Sequence, residues 1–546
     1  MALKSIDGRV LRRLIIAGAN ELNQNRQMVD SLNVFPVPDG DTGTNMSLTI
    51  LAAAKEVEKS ESKSISKIAL LASNGSLRGA RGNSGVILSQ LIRGFAKGLD
   101  GLENADVSTL SEALQNARET AYKAVMKPQE GTILTVATAV ADASSTVALE
   151  TEDAAAFLEN IIKSGSEMLE KTTDMLPALK QAGVVDAGGK GLIFILSGAL
   201  SNIKSGTEET VKDDQDTAQA PKAVSSPIAD TAKQEIKFGY CTEFFVLKKN
   251  PTDNDVEKLR TYLSSIGDSL IVVSDDEVIK VHVHTNHPGQ AIEKALTIGA
   301  LNGLKIDNMR IQHTNKIDFG KEEKTETKER GFIVVSPGDG LSDIFKNMGA
   351  DGIISGGQTM NPSTDDILSA IGKVSAKTVF VLPNNKNIIL ASQQAAELCT
   401  DKKVIVIPTR SIPEGIAALV NYDETLDEKT AVENMTSGIN DIVSLSMTFA
   451  VRDTSVDGFD IKKDDYLGMN GGKISVVCKK REECLFKLID GAIASDSEVI
   501  TIYYGSNVTE KEAQKASDKL REKYPDCEVE LYYGGQPVYY YIVSIE

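Results

Sequence analysis

Apolar positions recur every three or four residues through residues 1–204, which is the spacing of one face of an α-helix. Glycine-rich connections separate the periodic segments, and few stretches alternate with the two-residue period of a strand. The pattern therefore predicts an all-α domain over residues 1–204. The clearest predicted helices lie at 84–97, 110–125, 154–171 and 188–201.

The pattern changes at residue 205, where small and polar residues replace nearly all large apolar side chains up to residue 232. Such a segment cannot bury enough apolar surface to offset the entropy of ordering it, so we predict a flexible linker over 205–232. A small α/β domain is predicted over 233–320. Its strands are expected at 239–247 and within 270–285, and its helices at 254–266 and 289–300.

The last segment, residues 330–546, alternates short apolar strands with helices, beginning with Gly331–Val335. This alternation predicts a parallel sheet covered on both faces. Further apolar runs after residue 445 predict a second sheet. The loops that follow the strands near 337–343, 355–366 and 383–387 lie where open α/β sheets bind ligands.

The composition limits the kinds of partner and the cellular compartment that we expect for the chain. The chain has 546 residues, a formal net charge of -18 and a pI near 4.9, so its surface repels nucleic acid and anionic lipid. The only early apolar stretch is broken by Arg12 and Arg13, and no run is long enough to predict a membrane span. Five widely spread cysteines favour free thiols in a reducing compartment. We therefore predict a cytoplasmic protein.

The stretch 32–54 carries the most informative chemistry. Asp39 and Asp41 flank Gly40, and Thr42 to Asn45 lead into a helix that we expect to begin near Met46. Two carboxylates on a tight turn can converge on Mg²⁺, and a helix N-terminus suits phosphate oxygens. The alternative is a plain turn with an Asp or Thr cap.

Two further glycine-rich loops, 78–86 and 185–192, also precede predicted helices. Three such loops in one helical domain predict a phosphate-binding cradle. The last is not a Walker loop, because Lys190 stands one place too late after Gly183.

Four motifs carry a family resemblance. PDGDTGTNM (38–46), RGARGNSG (78–85), EGTILTV (130–136) and VDAGGKGL (185–192) resemble, in this order, the motifs of the nucleotide-binding L domain of dihydroxyacetone kinases. The full order of segments resembles the bacterial fatty acid kinase branch of that family. That resemblance implies a helical-barrel (DhaL-like) kinase domain, a middle α/β domain with a His-x-His motif, and a C-terminal DegV-like α/β domain.

The resemblance also implies roles for single residues. Asp39 and Asp41 would be the catalytic pair that holds Mg²⁺. The dihydroxyacetone kinases have a third Asp before this pair; Asn33 stands near its place, and Asp30 is the other candidate for that role. The remaining residues would bind ATP. Leu134 would pack beside adenine, and Asp186 with Gly188 would close the third side of the nucleotide site. The residues at the phosphates would be Thr42, Gly43, Asn45, Asn83 and Ser84.

The implied activity is ATP-dependent phosphorylation of a fatty acid carboxylate, presented by a separate DegV-like fatty-acid-binding protein, to give an acyl phosphate. A carboxylate acceptor is already ionised and needs no general base, and residues 1–204 contain no His. Residues 330–546 are then expected to dock the carrier. The chain could also form a homodimer. It would approach a membrane only transiently, through its fatty-acid-binding partner.

Two alternatives stay open: a kinase of small hydroxylated substrates such as dihydroxyacetone, and a nucleotide-binding regulator without turnover. The family's dihydroxyacetone chemistry uses a covalent hemiaminal on a His, whereas the His-rich stretch here resembles a metal site. The intact pair of Asp39 and Asp41 argues mildly against a regulator, because a protein without turnover need not keep a Mg²⁺ site.

The middle domain holds a cluster of metal-ligating residue types. His282 and His284 alternate on one predicted strand, and Cys241 lies on another, so the three can share one sheet face. This is a ligand set for Zn²⁺, although its spacing fits no standard zinc finger; a polar strand face with a buried thiol is the alternative. The family resemblance favours structural Zn²⁺, with His287 as a weaker fourth ligand.

Overall fold

The structure is a computed structural model that describes residues 3–33, 40–125, 128–212, 240–247, 252–274, 278–308, 327–357, 361–456 and 458–546. It divides into two compact units. One unit joins the N-terminal residues 1–215 with the C-terminal residues 327–546, and the other spans 216–326. The two ends of the chain therefore belong to the same compact body.

The N-terminal part is helical, as the apolar periodicity predicts. Its helices are α1 Gly8–Gln24, α2 Arg26–Ser31, α3 Thr42–Glu58, α4 Ile65–Gly79, α5 Gly82–Gly98, α6 Val107–Ala124, α7 Ile133–Glu150, α8 Ala154–Met175, α9 Pro177–Ala182 and α10 Ala187–Ser205. Two-residue strands, β1 Ile6–Asp7 and β2 Asn104–Ala105, pair beside them. Helix α3 begins at Thr42, four residues earlier than we expected, so Thr42 to Asn45 form its first turn.

The longer helices close into a ring. Each contacts the next in the order α1, α3, α4, α5, α6, α7, α8 and α10, and α10 returns to α1. Their apolar faces meet in one core that contains Leu14, Met46 and Phe157, and an apolar cavity of about 200 Å³ lies at its centre. This arrangement confirms the helical-barrel expectation.

Helix α7 is long and apolar enough to cross a membrane by length and composition alone. In the structure it packs between α6 and α8, and its apolar residues Ile133, Leu134 and Val140 are buried in the core. Its composition is therefore explained by its place inside the ring.

The middle unit contains one antiparallel sheet in the order β4-β5-β3-β6. Its elements are β3 Tyr240–Leu247, α11 Asp253–Ile266, β4 Gly267–Ser274, β5 Val278–Thr285, α12 Pro288–Leu296 and β6 Ala300–Asn308. Phe244, Val246 and Val281 pack with Leu259 and Ala291 of the two helices in a single core. Alternate positions along the strands thus face the helices.

The C-terminal part contains two sheets, as predicted. The first is parallel, in the order β10-β9-β7-β8, and the second is mixed, in the order β15-β14-β11-β18-β16-β17. The first is built from β7 Lys328–Ser336, α13 Asp339–Asn347, β8 Gly352–Ser355, α14 Thr364–Lys373, β9 Ala376–Leu382, α15 Ile389–Leu398, β10 Lys403–Val406, α16 Ile412–Val420 and α17 Glu428–Asn440. The second and its hairpin contain β11 Val443–Phe449, β12 Thr454–Val456, β13 Phe459–Ile461, β14 Tyr466–Asn470, β15 Lys473–Cys478, α18 Arg481–Asp490, β16 Val499–Tyr504, α19 Glu510–Lys523, β17 Glu528–Tyr533 and β18 Tyr541–Ile545.

A shared apolar cluster joins the helical ring to the parallel sheet. Ala80 and Val86, at the end of α4 and the start of α5, pack in one core with Ile333, Ile367 and Ile388. Gln394 of α15 also donates a hydrogen bond to the Leu77 carbonyl at 2.9 Å. The second glycine-rich loop of the helical domain is therefore held against the C-terminal domain.

Candidate active site

The first glycine-rich loop presents Asp41 at the N-terminus of α3. Asp41 occupies the N-cap position, but no capping hydrogen bond from its side chain is found within the described residues. Its Oδ2 instead accepts a hydrogen bond from Asn361 Nδ2 at 2.6 Å. The capping alternative thus fails for Asp41, whose carboxylate is directed to another part of the molecule. Asp39 lies outside the described residues.

Asp30 performs the capping role from the neighbouring helix α2. Its carboxylate accepts from the Thr44 amide at 3.0 Å and from the Thr44 hydroxyl at 2.8 Å. Burial raises the pKa of Asp30, and the Thr44 hydrogen bonds partly oppose that rise. Asn33 lies beside the loop, since a Cβ on Gly40 would stand 3.4 Å from the Asn33 Cβ.

Glycine permits the close approach of α3 and α5. Gly82 has φ of +57°, and a Cβ there would stand 2.5 Å from Asn45 Nδ2. Asn45 is 4% exposed, and Asn83 and Ser84 lie in the first turn of α5. The predicted phosphate-contacting residues of the first two loops are thus brought together at the N-terminal ends of two adjacent helices.

The third loop joins the starts of α7 and α10. Asp186 caps α10 by accepting from the Gly189 amide at 2.6 Å, and the amides of Gly188 and Ile133 also donate to it. Burial raises the pKa of Asp186 to about 6, although these amides oppose the rise. Leu134 is 1% exposed, in the apolar core.

The three loops lie at one end of the helical ring. A Cβ on Gly191, early in α10, would stand 2.8 Å from the end of the Met46 side chain, early in α3. Helices α3, α5, α7 and α10 therefore begin near one another, and their N-terminal amides and positive dipole ends favour an anionic ligand. We predicted this grouping from the sequence.

The contribution of the C-terminal domain was not predicted from the sequence. Asn361, which reaches Asp41, lies in the loop after β8, and Asn387, in the loop after β9, approaches Asn83 at 3.4 Å. Both loops stand at strand ends that we identified as candidate ligand sites. They face the glycine-rich loops of the helical domain within one compact unit.

The polar atoms at this junction fit a metal–phosphate group. Asn83 Oδ1 and Asn361 Oδ1 are buried and have no hydrogen-bond partner within the described residues. Oxygen donors are what Mg²⁺ requires, and Asp41 and Asn33 add further oxygens. Among the described side chains no three His, Cys, Asp or Glu residues form a metal-binding group; Asp39 is outside that set.

The register of the middle sheet places the predicted zinc ligands together. Cys241 of β3 lies directly opposite His284 of β5, and His282 lies opposite Glu243. Asp268 of β4 also lies opposite His284. The side chains of Cys241 and His282 are not among those described. His287 is exposed and immediately precedes α12.

The family follows from matches that cover nearly all of the chain. Family models match residues 36–201 (DAK2 domain), 237–316 (the FakA-like middle domain of fatty acid kinase) and 331–546 (the FakA-like C-terminal domain of fatty acid kinase). The chain belongs to the FakA-like fatty acid kinase family. An uncharacterized protein of Staphylococcus aureus (strain USA300) is 45% identical over 552 residues, covering 100% of both chains. The resemblance identified from the four motifs is confirmed.

Solved structures resemble parts of the chain only weakly. The dihydroxyacetone kinase of C. freundii in complex with AMP-PNP and Mg²⁺ is 17% identical, with a TM-score of 0.28, over 35% of this chain and 33% of that one. The Streptococcus pneumoniae fatty acid kinase B3 protein loaded with linoleic acid is 14% identical, with a TM-score of 0.27, over 40% and 99%. Likenesses this low do not bear on the function of this chain.

Family membership supports a kinase-type phosphotransferase of a fatty acid kinase system. It also confirms the predicted kind of architecture, a helical DAK2 domain followed by a middle domain and a C-terminal α/β domain. Membership of this kinase family also supports ATP as the co-substrate and Mg²⁺ as the ion.

Proposed function

We propose that this chain is the ATP-dependent kinase component that phosphorylates the carboxylate of a fatty acid presented by a separate fatty-acid-binding protein. The observation that carries the proposal is the gathering of four helix N-termini at one end of the ring. Asp41 stands at the start of one of these helices, α3, and its carboxylate is not used as a cap. This geometry is suited to phosphoryl transfer, which depends on alignment and charge neutralisation. Family membership supports the same activity.

In this proposal Asp39 and Asp41 hold Mg²⁺, and Asn33 supplies a further oxygen because Asp30 is engaged with Thr44. Mg²⁺ bound there would neutralise charge on the ATP phosphates. The first turns of α3 and α5, with Thr42, Gly43, Asn45, Asn83 and Ser84, orient those phosphates. Asp186 and Gly188 bound the third side of the nucleotide site, near Leu134.

No protein base is needed for an acceptor that is already a carboxylate. All four histidines of the chain follow residue 281, outside the helical ring. A hydroxyl acceptor would need to lose a proton, so this arrangement favours the carboxylate over a dihydroxyacetone-type substrate.

The proposal predicts that ATP consumption depends on a loaded carrier. Purified chain, Mg²⁺ and ATP are expected to form ADP and acyl phosphate when a fatty-acid-loaded DegV-like protein is added. The same carrier without fatty acid is the matched control and should give background ADP. Turnover with dihydroxyacetone and none with the loaded carrier would contradict the proposal; nucleotide binding without any turnover would favour the regulator.

Deleting residues 330–546 is not a clean test of carrier docking. The deletion would uncover Ala80 and Val86, remove the Asn361 contact to Asp41 and expose the Leu77 carbonyl. Loss of activity would then report damage to the kinase site. Point substitutions on exposed C-terminal residues, combined with a direct carrier-binding measurement, separate docking from catalysis.

We also propose that Cys241, His282 and His284 bind a structural Zn²⁺ in the middle domain. Support comes from the register, because directly opposed residues of an antiparallel pair place their Cβ atoms about 5 Å apart. Asp268, opposite His284 on the other side, is a further oxygen donor in the same row.

The zinc proposal predicts about one zinc per chain, measured by elemental mass spectrometry on protein purified without chelator. Cys241→Ser and His284→Ala are expected to lose it, whereas His287→Ala, which removes only the weaker candidate for a fourth ligand, should lower the zinc content less. Zinc-free protein from zinc-supplemented cells would overturn the assignment.

A further inference from the structure

We infer that Asn361 of the C-terminal domain is a positioning residue for Asp41, so that the metal–nucleotide site is assembled from both ends of the chain. The inference rests on the proposed function and deepens it. The two residues are 320 positions apart in sequence, yet Asn361 Nδ2 donates to Asp41 Oδ2 at 2.6 Å. A donor at this distance fixes the orientation of the carboxylate, which is how a neighbouring residue positions a metal ligand.

Asn361 is held in place by the second glycine-rich loop. The Arg81 guanidinium donates to the Asn361 carbonyl at 2.8 Å and lies 3.4 Å from the Asp366 carboxylate. Ser363 pairs with Arg81 in an antiparallel bridge, and the Thr364 amide donates to the Ala80 carbonyl at 3.1 Å. The segment that carries Asn361 is therefore attached to the kinase loop by backbone as well as side-chain bonds.

The side chain of Asn361 fits closely into the site. It is 2% exposed, and its Nδ2 would stand 3.3 Å from a Cβ on Gly82. The absence of a side chain at Gly82 thus lets Asn45 and Asn361 approach the loop together. A buried amide normally satisfies both its ends, but Asn361 Oδ1 has no partner among the described residues. An oxygen of this kind, beside a carboxylate and two helix N-termini, is suited to a cation or to a water that a cation holds.

The alternative is a purely structural contact that fastens the two domains. Arg81 and Gln394 already bind backbone carbonyls across this junction, and the apolar cluster of Ala80 and Val86 lies beneath them. Fastening therefore does not require a bond to the carboxylate of Asp41. The choice of that carboxylate as the acceptor is what points to a role in the metal site.

The test is the Mg²⁺ dependence of nucleotide binding by the full-length Asn361→Leu variant, which keeps the branched shape of the side chain and removes its polar atoms. Isothermal titration with ATP at several Mg²⁺ concentrations gives the Mg²⁺ concentration at half-maximal affinity. That concentration is expected to rise about tenfold, the usual effect of removing a residue that orients a metal ligand. Arg81→Lys, which keeps the charge but loses the planar fork, is expected to shift it in the same direction by a smaller factor.

Gln536→Leu is the matched control. Gln536 is also a buried amide of the C-terminal domain, 1% exposed, but it donates to the Tyr503 carbonyl within that domain. Asn361→Leu and Gln536→Leu each lose a buried hydrogen bond and are expected to melt at similarly lowered temperatures. Of these two variants, only Asn361→Leu should change the Mg²⁺ dependence. An unchanged Mg²⁺ dependence in Asn361→Leu, with wild-type protein binding Mg-ATP, would overturn this inference alone. Wild-type protein that binds no Mg-ATP would overturn the proposed function instead.

Discussion

Asp41→Asn is expected to lower kcat for phosphoryl transfer about 10³-fold, equivalent to about 4 kcal/mol of transition-state stabilisation. The substitution keeps the shape of the side chain but removes the charge that would hold Mg²⁺ against the ATP phosphates. Structural damage should be small, because Asp41 makes no capping bond to α3 within the described residues and an amide oxygen can still accept from Asn361. The measurement is carrier-dependent ADP formation at saturating ATP and Mg²⁺, with a thermal melt of each protein.

The matched control for this substitution is Asp365→Asn. Asp365 is exposed in the first turn of α14, so it tests the loss of one acidic charge near the same junction. Its kcat is expected to equal that of the wild type. If Asp41→Asn turned over at a rate within a few-fold of the wild type, Asp41 would not be a magnesium ligand in the reaction.

Gly43→Ala is expected to destabilise the helical domain by about 3 kcal/mol, at the upper end for overpacking. A Cβ on Gly43 would stand 2.3 Å from the Arg26 carbonyl oxygen, 2.9 Å from the Val29 Cβ and 3.1 Å from the Asp30 amide nitrogen. Two of these atoms belong to the backbone and cannot rotate away. Helices α2 and α3 must therefore separate, which also breaks the Asp30 contacts to Thr44.

The measurement for Gly43→Ala is calorimetric melting of the full chain, together with the Kd of Mg-ATP. For a domain of this size the melting temperature should fall by roughly 6–12 °C, and nucleotide affinity should fall with it. Gly372→Ala is the control: it lies in α14 and has nothing within 4 Å of an added Cβ, so it should be neutral or stabilising by up to about 1 kcal/mol. Equal melting temperatures for the two variants would show that α2 and α3 are not packed as described.

Much of the architecture could be predicted from local patterns. The three- and four-residue spacing of apolar side chains predicted helices α5, α6, α8 and α10, and the alternation of short strands and helices predicted the parallel C-terminal sheet. Boundaries were less accurate: α3 begins at Thr42, within the motif that we expected to precede the helix. Periodicity does not show where a helix starts when its first turn contains small polar residues, here Thr42 to Asn45.

Several elements carried too weak a local signal to be predicted. Strands β12 and β13 are three residues long, and β17 has an irregular pattern of exposure because it lies at the edge of its sheet. The two-residue pair β1 and β2 gives no period at all. Short and edge strands are determined by their partners, which lie elsewhere in the chain.

The helical or α/β character of each segment, the three glycine-rich loops and the family could be read from the sequence, because these depend on residues that are near neighbours or stand in fixed motifs. Three contacts follow only from the packing of the chain: Asp30 caps α3, Cys241 lies opposite His284, and Asn361 reaches Asp41. Each of these contacts joins different elements, and the last spans 320 residues. The spacing of residues along a chain constrains only the few positions on the same helix face or strand, whereas the packing of whole elements brings distant polar groups together.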